Sequence, residues 1–105
     1  MTVEELYTLL TGTGLAVAYS AFPGPKEPPF ITYQFVMSND LVADGKNYAK
    51  VARWQVELYT NKKDIASEQA VESALSDLVY TKSEYWIAEE KMFQVVYEFE
   101  TLLEV

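Results

Sequence analysis

Apolar and polar positions along this chain follow two periods, and the changes between them mark out its elements. Val3, Leu6, Leu9 and Leu10 recur at helical spacing with Tyr7 beside them, which predicts a helix from about Val3 to Thr11. Thr2-Val3-Glu4-Glu5 forms a capping box at its start, in which the Thr2 hydroxyl accepts from the Glu5 amide and the Glu5 carboxylate reaches back. Glu4 and Glu5 also lie at the positive end of the helix dipole, and Gly12 or Gly14 caps the other end. The run from Leu15 to Phe22 is short, apolar and bounded by glycine and proline, so it reads as a strand with Leu15, Val17 and Tyr19 on one face. Pro23-Gly24-Pro25-Lys26-Glu27-Pro28-Pro29 can hold neither a helix nor a central strand and makes an exposed connection.

From Pro28 to Thr60 two strand-like runs flank Asp44-Gly45, the strongest short-range hairpin signal. With Asp44 and Gly45 as the turn, Ile31 faces Leu58, Tyr33 faces Val56, Phe35 faces Trp54 and, further out, Leu41 faces Tyr48. That register gathers nearly all the bulky apolar side chains on one face, as cross-strand packing requires. The opposite face takes Thr32 with Glu57, Gln34 with Gln55, and Val36 with Arg53. The outer part, Ser38 to Tyr48, is polar apart from residues such as Leu41 and Val42, and once past the core it has little of its own protein to pack on. It is either a mobile tip or an arm that packs on a neighbouring subunit.

Asp64 is placed to cap a second helix, over about Ile65 to Leu78, whose apolar positions are Ala66, Ala70, Val71, Ala74, Leu75 and Leu78. Glu68, Gln69, Glu72, Ser73, Ser76 and Asp77 form its solvated side. A second hairpin joins Ser83–Ala88 to Met92–Glu100 across Glu89-Glu90-Lys91, with Ile87 set against Phe93 and Tyr85 against Val95. The connection has no glycine, which leaves its turn type open. Thr101 to Val105 either extends the last strand or docks as a tail. The result is an α+β domain in the order α-β-β-β-α-β-β, with about five strands, two helices and a long protruding hairpin between the second and third strands.

At 105 residues the chain is the size of one domain with a single core. It contains no cysteine and no histidine, which excludes disulfides, thiolate metal sites, a Ser-His-Asp triad and the commonest general base. A net charge of −8 opposes wrapping of nucleic acid and binding to an anionic membrane surface. It favours solubility and lets DNA pass without sticking. No apolar run approaches the roughly 18 residues that span a bilayer, and the N-terminus lacks the pattern of a secretory signal, so synthesis in the cytosol is the expectation.

Gly12-Thr13-Gly14 precedes a strand instead of a helix and lacks the third glycine of a dinucleotide loop. Gly24-Pro25-Lys26 lacks the rest of a phosphate-binding loop, and the segment from Asp40 to Gly45 lacks the third-position and twelfth-position ligands of a calcium loop. Glu57 and Glu98 lie on polar strand faces and read as solvated carboxylates. Tyr33, Trp54, Tyr85 and Tyr97 fall on the core side and do not form a stacking platform. No catalytic, cofactor or metal site is expected, and an enzyme is not.

Several segments resemble one family in order along almost the whole chain. They are Thr2 to Leu6, Gly14 to Tyr19 with Phe22, Pro28 to Tyr33, Ser38-Asn39-Asp40, Ala43-Asp44-Gly45 with Tyr48, Glu57 to Thr60 with Lys63-Asp64, and Glu90 to Phe99. These look like the tail-completion, or tail-terminator, proteins of long-tailed phages of Gram-positive bacteria. The resemblance implies helices packed on one face of a mixed sheet, and a structural role in the virion neck after assembly in the host cytoplasm. It also implies a homo-oligomeric ring, by expectation a hexamer, that caps the tail tube protein and meets the head-completion or connector protein while DNA passes through. The expected subunit or partner contacts are Asn39, Asp40, Leu41, Val42, Asp44, Gly45, Lys46, Asn47 and Tyr48.

Overall fold

The computed structural model describes residues 1–38, 41–43 and 45–102, and of residues 41–43 and 46–49 the backbone alone. The elements follow as α1 (Val3–Thr11), β1 (Ala16–Tyr19), β2 (Phe30–Ser38), β3 (Leu41–Ala43), β4 (Lys46–Ala49), β5 (Val51–Thr60), α2 (Ile65–Ala74), β6 (Tyr80–Ile87) and β7 (Met92–Leu102). Five strands form one mixed, mainly antiparallel sheet in the order β1-β2-β5-β7-β6, and β3 and β4 pair as a separate two-stranded arm. The domain is α+β as the periodicity predicts.

Both capping predictions hold in detail. The Glu5 amide donates to Thr2 Oγ1 (3.1 Å) and the Thr2 amide donates to Glu5 Oε1 (3.3 Å). Asp64 caps α2 by accepting from the amide and hydroxyl of Ser67 (3.0 and 2.8 Å). α2 stops at Ala74, short of the expected Leu78. Without a terminal glycine the chain tightens there, with Ser76 N–H donating to Ser73 O and Leu78 N–H to Leu75 O.

Leu6 and Leu10 of α1 and Val71 of α2, with Leu75 just beyond, meet Ile31, Tyr33, Trp54, Val56, Leu58, Val95, Tyr97 and Phe99 in one core. The helices therefore cover the sheet face that carries these alternate residues, and burial of each large aliphatic side chain contributes roughly 1.5–3 kcal/mol. Trp54 keeps its indole N–H satisfied by donating to Thr101 Oγ1 (2.9 Å).

The base of the long hairpin has the expected register: Ile31 pairs with Leu58, Thr32 with Glu57, Tyr33 with Val56, Gln34 with Gln55, and Phe35 with Trp54. Beyond Phe35 two expectations fail. Met37, not Val36, pairs with Arg53, and Leu41 pairs with Ala49, not Tyr48. Val36 is an extra residue on one side of the hairpin and Tyr48 an extra residue on the other. The two irregularities cancel, so Val42 and Ala43 return to Asn47 and Lys46 around Gly45, whose φ is +72°.

The second hairpin is shifted by one residue from expectation. Ile87 pairs with Met92, Trp86 with Phe93, Tyr85 with Gln94 and Glu84 with Val95. Its loop runs over residues 88–91, one longer than expected, and Lys91 takes the positive φ of 53° that a glycine would ordinarily supply. β6 also begins earlier than predicted, at Tyr80. The shift turns Tyr85 away from the core side; it is 54% exposed.

β1 is parallel to β2, with Val17 opposite Ile31 and Tyr19 opposite Tyr33. Parallel neighbours need a crossover, and here residues 20–29 return the chain from the end of β1 to the start of β2. Phe22 of this loop meets Phe30 edge-on at 5.4 Å, and Phe30 stacks on Tyr59 at 4.9 Å.

Candidate assembly surfaces

The sheet alternation leaves two kinds of surface for function: the face of the sheet without helices, and the two ends of the long hairpin. On the open face Thr32, Gln55, Glu57, Tyr59, Gln94 and Val96 project together, because they alternate with the core residues of β2, β5 and β7. Glu57 was expected to be solvated and is instead only 5% exposed, beside the equally buried Thr32. Thr32 Oγ1 donates to Glu57 Oε2 (2.5 Å) and Gln55 Nε2 donates to Glu57 Oε1 (2.7 Å). Burial pushes the Glu57 carboxyl above its ordinary range, and the two hydrogen bonds offset only part of that. Glu98 does not join Glu57 in an acid/base pair; it forms an ion pair with Arg53 at 2.6 Å, and Glu100 holds the other guanidinium nitrogen at 3.2 Å.

Glu68, also expected on the solvated side, is buried, between lysines from the loop before α2 and from β6. Lys63 and Lys82 approach it at 2.9 and 2.8 Å, and the same lysines pair with Glu84 and Glu72 at 2.7 and 2.8 Å. Burial opposes the charge on Glu68, yet the hydrogen bonds from Lys82 and Lys63 outweigh it and hold the carboxyl below its ordinary range. Tyr97 O–H donates to Glu72 (2.8 Å). Every partner in this network is met within the chain, so it is a clamp between helix and sheet. Among the described residues no group of three or more carboxylates is arranged to hold a metal ion. No described helix is long and apolar enough to cross a membrane.

The arm is the more unusual feature. Of the expected contact residues, Leu41 and Val42 lie on β3, Lys46, Asn47 and Tyr48 on β4, and Gly45 in the exposed turn between them. Asn39, Asp40 and Asp44 lie outside the described residues. The arm prolongs β2 and β5, and the molecule measures 50 × 27 × 25 Å. At its root Phe35, Val36 and Met37 are 41%, 43% and 49% exposed, although Phe35 was expected to pack with Trp54 in the core. Phe35 does touch Trp54 edge-on at 5.9 Å, and its N–H donates to Tyr19 Oη (3.2 Å).

At the opposite end of the strands the crossover loop and the β6–β7 turn enclose a cavity of about 440 Å³ on the open face. Phe22, Phe30, Tyr59, Ile87 and Met92 supply its apolar walls, with Lys26 and Glu90 among its polar groups. Sequence reasoning did not find this cavity. The aromatic residues at Phe22, Phe30 and Tyr59 were visible, but only the parallel pairing of β1 brings the loop over them.

No family model matches the chain, and neither does any curated protein. Among solved structures, a chain from the virion of a native gene transfer agent particle superposes with a TM-score of 0.60 at 18% identity, over 95% of this chain and 84% of the other. At that identity the likeness is one of fold, and it extends over nearly the whole chain, helices and sheet together.

Proposed function

We propose that the protein is a structural component of a phage-like virion, and within it a tail terminator: a ring, by expectation hexameric, that caps the tail tube and joins it to the head connector. The observation that carries the reading is the fold shared over 95% of the chain with a component of a gene transfer agent virion. The family resemblance of the sequence points the same way. A rigid sheet with a projecting arm suits heterologous contacts repeated around a ring, where each subunit presents one surface and receives another. The arm residues Leu41, Val42, Gly45, Lys46, Asn47 and Tyr48 are its proposed subunit contacts, with Asn39, Asp40 and Asp44 of the same segment. The net charge of −8 suits a neck component past which DNA moves without specific binding. The role calls for no catalysis and no cofactor.

Electron microscopy and light scattering of the purified protein test the ring. Closed rings are expected; a monomer at every concentration that also fails to assemble on tail tubes overturns the proposal. Deleting the gene from its phage then separates neck roles. Overlong or ragged tails are the expected result, whereas normal tails detached beside full heads would make the protein a stopper or head-completion component instead.

A further inference from the structure

The sheet ends laterally in β1 and β6, and the longer of these two edges is unguarded. Among the described residues β6 is an outermost strand; it pairs with β7 without a bulge from Tyr80 to Ile87, and residues 81–86 are exposed. An edge strand turns the N–H and C=O of alternate residues outward, where they template pairing with another chain. Natural edges are blunted by proline, by a bulge or by charged side chains. β6 has neither of the first two, and its Lys82 and Glu84 lean onto ion-pair partners in α2 and in the loop before it. Tyr85 and Trp86, 54% and 53% exposed, lie along this edge on the two faces of the sheet.

The residues of the strand point to what can pair with it. About Ser83, the segment from Tyr80 to Trp86 is complementary to its own reverse: Lys82 and Glu84 stand on either side of the centre, and aromatic rings stand at both ends. We propose that β6 pairs antiparallel with β6 of a second copy of this chain, about a twofold axis at Ser83, so that the two sheets become one continuous sheet. A contact of this kind presents the same surface from both copies and closes at two. It goes beyond the ring reading and does not rest on it, because it uses the side of the sheet and not the arm at its end.

Charge fixes the register. With Ser83 on the axis, Lys82 of each copy faces the partner's Glu84, and opposite charges so placed are favourable. Sliding the strands by two residues one way sets Glu84 against the partner's Glu84. Sliding them the other way sets Lys82 against the partner's Lys82, and like charges directly opposite are destabilising. Both groups have capacity for the added contact. The Lys82 ammonium has three donors, and Glu68 and Glu72 meet it at 2.8 Å each, which leaves a third. Glu84 holds Lys63 through Oε1, and a carboxylate accepts at both oxygens. Their side chains are 38% and 39% exposed, so a second strand can reach them. On the same face Tyr80 meets the partner's Trp86, and on the open face Thr81 meets the partner's Tyr85, which covers the exposed rings.

The chain has no cysteine, so a single introduced thiol reports on the axis. Ser83→Cys places two thiols directly opposite, with Cβ atoms about 4.5–5.5 Å apart, and mild oxidation should give a disulfide-linked dimer. Thr81→Cys is the control on the same face: its two thiols lie roughly 13 Å apart along the strands, and no dimer is expected. Mixing the Thr81→Cys and Tyr85→Cys proteins should restore the link, now between unlike chains. Ser83→Lys sets like charges on the axis and alters no ion-pair residue, so it should lose the dimer in sedimentation while melting like the parent. Failure of Ser83→Cys to link, or equal linking by Thr81→Cys, overturns the edge pairing and leaves the edge to a different chain; rings seen by microscopy would still stand. A linked Ser83→Cys dimer in a protein that forms no rings removes the ring and leaves the edge pairing.

Discussion

Glu57 lies near the middle of the chain's central strand, on the sheet face that carries no helix, and among the described residues Thr32 and Gln55 donate hydrogen bonds to it. No cation is among its partners in the described residues, and burial disfavours the charge and raises the carboxyl pKa in the folded state. A raised folded-state pKa means stability that is complete below the unfolded value of 4.5 and is lost as pH rises through the folded value. Replacing Glu57 with Gln keeps the shape and removes the titration. The Glu57→Gln protein should melt higher than the parent at pH 7. The gain should shrink towards zero as the pH is lowered to 4. Thermal melts across that range check it, and a loss at pH 7 that disappears at pH 4 would show that the two hydrogen bonds need the ionised carboxylate. Glu57 also marks what the sequence left hidden at this scale. Alternation correctly assigned its face and its partner Thr32, but it says nothing about how deeply a side chain lies on that face. Glu68 was misread for the same reason, since a helical pattern cannot reveal two lysines approaching from a loop and a distant strand.

Elements with a local chemical signature were legible to the residue. The Thr2–Glu5 capping box set the start of α1, and the sorting of Ile31, Tyr33, Leu58 and Val56 fixed the register at the hairpin base. Where no local residue specified the turn, the register slipped. Residues 88–91 contain no glycine, and the loop closes with Lys91 at a φ of 53°, a conformation that costs an ordinary side chain about 1 kcal/mol. Lys91→Gly should therefore stabilise the domain by up to about 1 kcal/mol, less the extra chain entropy that glycine brings to the unfolded state. Urea denaturation monitored by tryptophan fluorescence measures this directly. A loss of stability would mean that the Lys91 side chain makes a contact worth more than the strain. The paired irregularities at Val36 and Tyr48 were illegible for a different reason. Each adds one residue to an opposite strand, so the net register at the Asp-Gly turn looks undisturbed.

At the scale of the molecule, the proposed ring asks for assembly contacts outside the folding core. The core joins α1, α2 and the five-stranded sheet, and its buried apolar members run from Leu6 to Phe99. The arm is a two-stranded sheet of its own, and an isolated pair of strands is only marginally stable in water. On the proposed reading, this arm at one end of a molecule 50 Å long serves an assembly. Replacing Leu41 and Val42 with Ser should then leave the monomer's melting temperature within about 2 °C of the parent, as surface changes within ±0.5 kcal/mol do. The same change should weaken oligomerisation at least tenfold in sedimentation or light scattering. Leu58→Ala supplies the contrast, because Leu58 is fully buried and its truncation should cost about 2–5 kcal/mol. If the arm variant instead loses stability on the scale of Leu58→Ala, the arm belongs to the fold and its role in assembly falls. If both stability and assembly are unchanged, the arm is a bystander, and the subunit contacts must be sought at its exposed root, Phe35 to Met37.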